Sequence, residues 1–378
     1  AFKLQSEGKK LEAAKYYSYL IKKGLKDYRI FTNFGAFLKE IGKYKEAELE
    51  LKKAIQLNPR YANAYYNLGV LFIRQGNLFS AEIQLRKATE LKPDFSIAHY
   101  NLGYILKDLG KLSEAEFHTK KAIEIDPYCT DAYFSLTTIN KNYKDEKWQN
   151  QLFSEQLLKN KDKRELVNIF FARSNVLHEK REYIASAKNL IAANDIKLTM
   201  QDSITKLLIK KTNKLKTYSE NYKTNIKKLN KEPVSIFIVG LPRCGSTLIE
   251  SIISLNPNIK DLGEVNFFEE SFKQFIKSDK KLSLAEIYRK KTNLKSYSII
   301  TTNKWLFNYQ YAGIIAQTIP NARIIHCFRH PLDNILSMYR AHFTTGNSFS
   351  SSLTDCAEVY SDQENIMQHY KNKFKSQI

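Results

Sequence analysis

Small residues recur every 34 positions through the first third of the chain, among apolar residues with helical spacing. Five registers share this step: Gly8, Gly42, Gly76 and Gly110; Ala13, Ala47, Ala81 and Ala115; Gly35, Gly69 and Gly103; Ala54, Ala88 and Ala122; Pro59, Pro93 and Pro127. Small residues let two antiparallel helices approach closely, and a proline ends the second helix of a unit. The pattern predicts stacked helix-turn-helix units over residues 1–140, an α-helical repeat solenoid.

Residues 141–232 keep a helical pattern but lose the regular glycines. The segment 181–193 resembles one more repeat unit. Residues 201–232 contain nine lysines and three acids, without an internal glycine or proline. This composition predicts a basic helix or helical linker, and such a charge run is typical of a solvated face.

A different pattern begins at Val234, where V-S-I-F-I-V predicts a short buried strand. The glycine-rich segment G-L-P-R-C-G-S-T follows at 240–247, and a helix is predicted over 248–255. The order of strand, glycine loop and helix is that of a phosphate-binding loop. Ser246 occupies the position of the lysine that reaches the β and γ phosphates in triphosphate-binding loops. The loop therefore favours a nucleotide with one 5′ phosphate group.

A second strand and helix repeat this arrangement near residue 329. Residues 322–328 predict a strand, Arg329 follows it, and Pro331 opens a helix that includes Ser337. An arginine fork and a serine hydroxyl together suit a phosphate group. A nucleoside with one phosphate at each end would fit both of these strand-and-helix motifs.

The formal net charge of +21 favours either a nucleic-acid binder or a lysine-rich chain with anionic ligands. No nucleic-acid motif accompanies the charge, so we expect a lysine-rich chain with anionic ligands and no nucleic-acid partner. The four cysteines are scattered, which predicts a reducing compartment and no structural zinc. No apolar stretch reaches the length of a transmembrane helix. Because Ala1 already lies inside a repeat, we interpret the chain as a fragment. We separately expect a cytoplasmic, bacterial protein.

The repeats resemble the tetratricopeptide family in N-L-G at 67–69 and 101–103 and in the paired alanines at 81–88 and 115–122. The resemblance implies a superhelix whose concave face binds a peptide or protein. Asn33, Asn67 and Asn101 share one repeat position. In some glycosyltransferases with similar repeats, an asparagine ladder at this position holds a substrate peptide. The alternative is that asparagine is simply common at this position.

The C-terminal motifs P-R-C-G-S-T-L at 242–248 and R-H-P-L-D-N-I-L-S at 329–337 resemble the 5′- and 3′-phosphate signatures of sulfotransferases. These enzymes use 3′-phosphoadenosine 5′-phosphosulfate. Gly263-Glu264 and T-N-K at 302–304 make the chain most similar to the protein-tyrosine sulfotransferase branch and to bacterial fusions of tetratricopeptide repeats with a sulfotransferase. The resemblance covers about residues 233–378.

The resemblance also implies roles for individual residues. Glu264 would be the general base, and Arg243 and Lys304 would stabilise charge on the transferring group. The 5′-phosphosulfate would be bound by Arg243, Cys244, Gly245, Ser246, Thr247 and Leu248. Arg329 and Ser337 would hold the 3′ phosphate. The family usually has serine or another small residue at position 244, so Cys244 departs from the pattern in reactivity more than in folding.

Several alternatives stay open at this point. Glu264 could instead be a supporting or capping carboxylate. Some sulfotransferases use a histidine base, but none of His326, His330 and His342 stands at the position of Glu264 after the first helix.

The predicted architecture is a tetratricopeptide-like solenoid over 1–140, degenerate helical repeats and a basic linker over 141–232, and an α/β P-loop-like domain with a parallel sheet over 233–378. The expected activity is metal-free sulfuryl transfer to a peptide or protein tyrosine. A carbohydrate sulfotransferase, a P-loop kinase and a non-enzymatic repeat scaffold are the alternatives. Because domains of this type are generally longer than 146 residues, we expect a truncated C-terminus.

Overall fold

The computed structural model describes residues 3–4, 7–139, 146–222, 234–278, 282–292, 300–343 and 346–378. The chain divides into two compact units, Ala1–Ile196 and Lys197–Ile378. The predicted division into three segments at 140/141 and 232/233 stays a prediction, and residues 223–233 lie outside the described part. Within the described ranges, no helix combines the length and apolarity needed to cross a lipid bilayer.

The first unit is built from antiparallel helices, as the 34-residue period predicts. Its helices are α1 Lys10–Lys22, α2 Tyr28–Glu40, α3 Tyr44–Leu57, α4 Ala62–Arg74, α5 Leu78–Leu91, α6 Ser96–Asp108, α7 Leu112–Ile125, α8 Thr130–Ile139, α9 Glu146–Leu152, α10 Lys163–Glu179 and α11 Tyr183–Met200, which crosses the boundary between the units. A short 3₁₀ helix at Glu155–Leu158 precedes α10. The predicted helical repeat solenoid is confirmed.

The periodic glycines permit close contact between the two helices of one repeat. A Cβ atom added to Gly69 would lie 2.8 Å from Cγ of Leu85, and one added to Gly103 would lie 2.4 Å from Oγ1 of Thr119. Ala47, Ala81 and Ala115 are completely buried at the same helix pairs. The repeat registers therefore mark helix–helix contacts, where a side chain larger than hydrogen or methyl would force the helices apart.

The second unit contains a four-stranded parallel sheet in the order β2-β3-β1-β4. Its strands are β1 Ser235–Gly240, β2 Ile259–Asp261, β3 Ile300–Asn303 and β4 Ala322–Cys327. Central strand β1 pairs from Ser235 with Thr301 on one side and with Ala322 on the other. The predicted α/β region with a parallel sheet is confirmed. The run S-Y-S-I-I-T at 296–301 predicts a strand before T-N-K, and residues 296–299 of it lie outside the described residues.

Helices surround this sheet in a layered α/β arrangement. They are α12 Thr205–Asn221, α13 Ser246–Ile253, α14 Phe267–Lys277, α15 Leu284–Thr292, α16 Ala312–Thr318, α17 Pro331–Tyr339 and α18 Leu353–Lys373, with 3₁₀ helices at Leu306–Tyr311 and Ser348–Ser351. In the core, the Phe237 ring on β1 lies 5.8 Å from Phe268 and 5.5 Å from Tyr288. Leu215 of the basic helix α12 belongs to the same core, so this helix packs on the sheet unit.

Gly313 lies at a close contact between helices of the second unit. A Cβ atom at this position would lie 2.4 Å from Oγ of Ser219 on α12 and 2.4 Å from the ring of Tyr370 on α18. The Tyr370 ring is fully buried, which leaves it little room to move. Three helices therefore meet at a point that only glycine fits.

We predict that Gly313→Ala lowers the free energy of unfolding by about 1–3 kcal/mol, because overpacking displaces a buried ring. A urea titration followed by near-ultraviolet circular dichroism measures the change. Lys290→Ala, at an exposed position of the same unit, is the control and should stay within about 0.5 kcal/mol of the parent protein. An equally small effect of Gly313→Ala would contradict the packing argument.

Candidate active site

The carboxyl ends of all four strands lie at one edge of the sheet, because the strands are parallel. The segment 241–245 follows β1, and Leu262–Glu264 follows β2. Lys304 follows β3, and Phe328–His330 follows β4. The predicted site residues of the second unit therefore come from segments that start at one edge, although up to 94 residues separate them in sequence.

The segment after β1 forms the glycine loop that the sequence predicts. Gly245 has a φ of 94° and directly precedes α13, so it turns the chain into the helix in a conformation that suits glycine. At Gly240, a Cβ atom would lie 2.5 Å from the carbonyl oxygen of Cys327 on β4. Arg243 has a φ of 70°, a left-handed conformation that is uncommon for arginine. The loop is thus tightly folded against β4, with the first turn of α13 at its end.

Lys304 contacts side chains from two other segments of the site. Its ammonium nitrogen Nζ lies 3.2 Å from the hydroxyl of Thr247, at the start of α13. It also lies 3.0 Å from the carboxylate of Glu250, one turn further along that helix. The Glu264 carboxylate, after β2, is 3.3 Å from the same nitrogen. Lys304 therefore joins the glycine loop to the segment after β2, and it brings three of the predicted residues together.

The segment after β2 is held to β3 by the backbone. The amide of Leu262 donates to the carbonyl of Thr302, and the amide of Lys304 donates to the carbonyl of Gly263 at 3.1 Å. Gly263 has a φ of 71°, so glycine suits the turn that precedes Glu264. These bonds fix the position of Glu264 relative to Lys304.

The two acidic partners of Lys304 differ in how far they are buried. The side chains of Lys304 and Glu250 are each 7% exposed, whereas that of Glu264 is 65% exposed. Desolvation on its own would lower the pKa of Lys304, but the hydrogen bond and charge of Glu250, assisted by Glu264, raise the pKa above its usual value. Desolvation raises the pKa of Glu250, and the charge of Lys304 opposes this effect. Lys304 is therefore held as a cation.

Glu250 is a member of the cluster that the sequence did not predict. Its only signal is that it is the one charged residue in α13, S-T-L-I-E-S-I-I, where a buried carboxylate needs a partner. That signal does not identify the partner, because Lys304 lies more than 50 residues away in the sequence.

The second predicted phosphate motif, which consists of β4, Arg329 and α17, contacts the glycine loop through Ser337. The guanidinium Nε of Arg243 lies 3.3 Å from the hydroxyl of Ser337 on α17. One turn earlier, the buried Asn334 donates from its amide to the carbonyl of Pro242 at 3.0 Å. Helix α17 is therefore attached directly to the glycine loop. The sequence predicts that Ser337 acts with Arg329, and its contact with Arg243 is an additional finding.

Arg329 lies exposed between β4 and α17. Its backbone carbonyl accepts a hydrogen bond of 2.8 Å from the hydroxyl of Tyr360 on α18. Because the backbone is held in this way and the side chain is exposed, the guanidinium is available to an anion from solvent at the edge where the strands end.

Cys244 lies in the loop beside Cys327. Residue 327 pairs with Gly240 in the sheet, and the sulfur of Cys244 lies within 2.9 Å of the position that a Cβ atom on Gly240 would take. The hydrogen bond from Cys327 lowers the pKa of Cys244 to about 6 against the effect of burial, and donors of Ser246 add to the shift. The pKa of Cys327 is raised by the same contact and by burial. The thiolate form of Cys244 is therefore favoured relative to that of an ordinary cysteine.

The remaining loop residues differ in exposure. Ser246 is buried and turned toward Cys244. Thr247 is exposed at the first turn of α13, and the side chain of Leu248 faces solvent.

One of the alternative histidines, His326, lies on β4 with its side chain buried. It contacts Gln363 and lies 3.5 Å from Glu364, both on α18. Burial lowers the pKa of His326 to about 4, and Lys371 adds to this shift. A neutral histidine packed between a strand and a helix fits a structural role in the core.

The three asparagines of the repeats lie half-buried on the first helices of successive repeats, α2, α4 and α6. Asn67 accepts a hydrogen bond from the buried Lys39 at 3.1 Å and donates to the carbonyl of Asn63. Asn33 donates to the hydroxyl of Tyr17, and Asn101 to the carbonyl of Ile97. These contacts support the repeat packing, and the peptide-binding role stays a prediction.

Comparisons with solved structures find further repeat proteins. YrrB, described as a TPR protein with an unusual peptide-binding site, is 20% identical, with 48% of this chain and 93% of that chain covered and a TM-score of 0.39. MamA is 22% identical, with 48% and 94% covered and a TM-score of 0.35. The first TPR of Spaghetti (RPAP3), bound to an HSP90 peptide, is 23% identical, with 30% and 90% covered and a TM-score of 0.29.

An uncharacterized protein of Aquifex aeolicus (strain VF5) is 25% identical over 241 residues. The match covers 55% of this chain and 31% of the relative, so the chain spans about a third of that protein.

Family models identify both parts of the chain. Tetratricopeptide repeat models match residues 37–76, 62–95 and 96–129. The model of the sulfotransferase family matches residues 233–378, which include the whole sheet and the cluster around Lys304. The chain thus carries tetratricopeptide repeats followed by a sulfotransferase-family domain.

Proposed function

We propose that the protein transfers the sulfuryl group of 3′-phosphoadenosine 5′-phosphosulfate to the hydroxyl group of a tyrosine in a peptide or protein. The observation that carries the proposal is the position of Lys304. Its ammonium group contacts both Thr247 of the glycine loop and the exposed Glu264. A cation between an anion-binding loop and a solvent-facing carboxylate is what sulfuryl transfer requires.

The groups at the edge of the sheet fit a nucleotide with two separate phosphate positions. Around Gly245 a Cβ atom would meet nothing within 4 Å, so the entrance of the loop is open. The helix start supplies backbone N–H groups, and Thr247 supplies a hydroxyl. Arg243 and Arg329 are exposed cations on neighbouring segments. In this assignment Gly245, Ser246, Thr247 and Leu248 surround the 5′ group, and Arg329 and Ser337 hold the 3′ phosphate.

When bound, the nucleotide supplies an activated sulfuryl group. Glu264 takes the proton of the acceptor hydroxyl while the acceptor oxygen bonds to sulfur and the bond from sulfur to the bridging phosphate oxygen breaks. Arg243 and Lys304 stabilise the negative charge that develops on the sulfuryl and bridging oxygens. Positioning and electrostatics account for most of the catalysis, as in phosphoryl transfer.

The acceptor follows from the repeats. A tetratricopeptide array offers a concave surface of the kind that binds extended peptides, which supports a peptide or protein acceptor. Asn33, Asn67 and Asn101 are the candidate peptide contacts. A carbohydrate acceptor is the second candidate, since the same loop and base would serve any hydroxyl.

We predict that 3′-phosphoadenosine 5′-phosphate binds the full chain and that Arg329→Ala weakens this binding about tenfold to a hundredfold. Loss of a charge-assisted hydrogen bond costs about 1.5–3 kcal/mol, and each 1.4 kcal/mol is a factor of about ten. Isothermal calorimetry without magnesium measures the affinity. Arg323→Ala, an exposed arginine on β4, is the matched control and should bind like the parent protein.

Absence of binding by the parent protein would overturn the proposed function. Binding that requires magnesium and prefers a nucleoside triphosphate would instead favour a kinase. Equal affinity of the Arg329 and Arg323 variants would remove Arg329 from the phosphate site.

We predict that iodoacetamide modifies Cys244 before the other cysteines and that the modified protein no longer binds the nucleotide. The rate should rise as the pH passes about 6 and then level off, because the thiolate reacts and the pKa of Cys244 is lowered to about 6. The pKa values of Cys129 and Cys356 are raised by burial. Peptide mass spectrometry measures the rates, with Cys244→Ser as the control that should keep binding. Full binding after stoichiometric labelling would rule out a position beside the nucleotide.

We predict that Glu264→Gln lowers kcat about 10²- to 10⁴-fold and leaves nucleotide affinity within about threefold, because the variant loses the general base. Transfer of radiolabelled sulfate to a tyrosine peptide panel and to a saccharide panel measures activity and identifies the acceptor class. Glu270→Gln, which alters a surface ion pair with Lys291, is the control. An unchanged kcat for Glu264→Gln would assign the carboxylate a supporting role only.

A further inference from the structure

The proposed chemistry leaves one buried acid in the cluster without a role. Glu250 lies on α13 between the glycine loop and β3, with its carboxylate 3.0 Å from Nζ of Lys304. Its other oxygen lies 3.4 Å from the hydroxyl of Thr302, which is also 3.5 Å from Asp261. Glu250 is thus held on two sides, by the ammonium group of Lys304 and by the hydroxyl of Thr302 on β3.

The ion pairs of Lys304 with its two acidic partners differ in how much free energy is needed to break them. Glu264 is mostly in solvent, so breaking its ion pair exposes its carboxylate to water at little cost. Glu250 and Lys304 are both buried, and separating them would leave two desolvated charges without compensation. The pair with Glu250 therefore persists while the contact with Glu264 can open.

This difference resolves a conflict within the proposed mechanism. A carboxylate that is paired with an ammonium group is a weaker base, because the positive charge stabilises its ionised form. Glu264 must therefore turn from Lys304 toward the acceptor hydroxyl in order to accept a proton. Lys304 must stay charged and aimed at the loop while Glu264 turns.

We propose that Glu250 is a positioning residue, which keeps Lys304 charged and directed at Thr247 and so frees Glu264 to act as the base. This role rests on the proposed sulfuryl transfer. The groups that face Glu250 are Lys304, Thr302 and Asp261, and Glu264 reaches it only through Lys304. Without the charge of Glu250, Glu264 would be the remaining close partner of Lys304 and would be held there.

The test compares Glu250→Gln with Glu269→Gln in the full chain. Glu269 is a matched control, because it is a largely buried acid of the same unit that pairs with Lys211 and Lys273 away from the cluster. We expect Glu250→Gln to lower kcat at least tenfold and to change KM for the phosphosulfate less than threefold. We expect the Glu269 variant to change both constants less than twofold. A kcat for Glu250→Gln equal to that of the control would overturn the positioning role.

A second measurement separates positioning from loss of structure and needs no nucleotide. Reductive methylation with isotopically labelled formaldehyde, followed by peptide mass spectrometry, reports the reactivity of Lys304 at pH 9. Removal of the Glu250 charge should make the amine of Lys304 easier to deprotonate, so Lys304 should be labelled at least threefold faster than in the Glu269 variant. The exposed Lys206 and Lys214 of α12 should be labelled equally in both variants. Equal labelling of Lys304 in the two variants would overturn the coupling.

The two proposals fail in different ways. If the parent protein transfers no sulfuryl group, the proposed function is overturned regardless of any variant. If the parent transfers it and Glu250→Gln does so equally well, only the positioning role is overturned.

Discussion

Parallel pairing of β1 with both β3 and β4 is the constraint on which the candidate site depends. Parallel strands bring their carboxyl ends to one edge, and each connection must cross back over the sheet before the next strand begins. The loop at 241–245, Glu264, Lys304 and Arg329 each follow a strand at that edge. The helices between the strands cover the faces of the sheet, so chemistry is confined to the edge, where backbone groups and side chains meet solvent.

At this edge the local balance of charge is set by burial more than by the number of ionisable groups. A net charge of +21 over the whole chain says little about a cluster in which one lysine faces two carboxylates. A desolvated ion pair stays formed because both members would lose more by separating. Exposed groups such as Arg329 are free to respond to a ligand. The site therefore combines a buried ion pair with exposed groups at its edge. Helix α13 contributes the buried Glu250 and the exposed Thr247.

Periodicity and local order made much of the architecture predictable from the sequence. The 34-residue spacing of small residues required paired helices, and strand, glycine loop and helix required β1 and α13 in their observed order. Contacts between distant segments were not predictable. Nothing near Glu250 indicates Lys304, nothing near Cys244 indicates Cys327, and Gly313 has no local pattern that reveals Tyr370. Such contacts depend on how the crossover helices pack, which a local pattern does not encode.

The left-handed backbone at Arg243 places two requirements on one residue. A non-glycine residue in this region costs conformational energy, on the order of 1 kcal/mol, so glycine at this position would suit the loop better. Glycine would also remove the guanidinium that reaches Ser337. Loop stability and the guanidinium at the edge of the sheet therefore place opposite demands on position 243. Arginine keeps the cation and its contact with Ser337 at the cost of an uncommon backbone conformation.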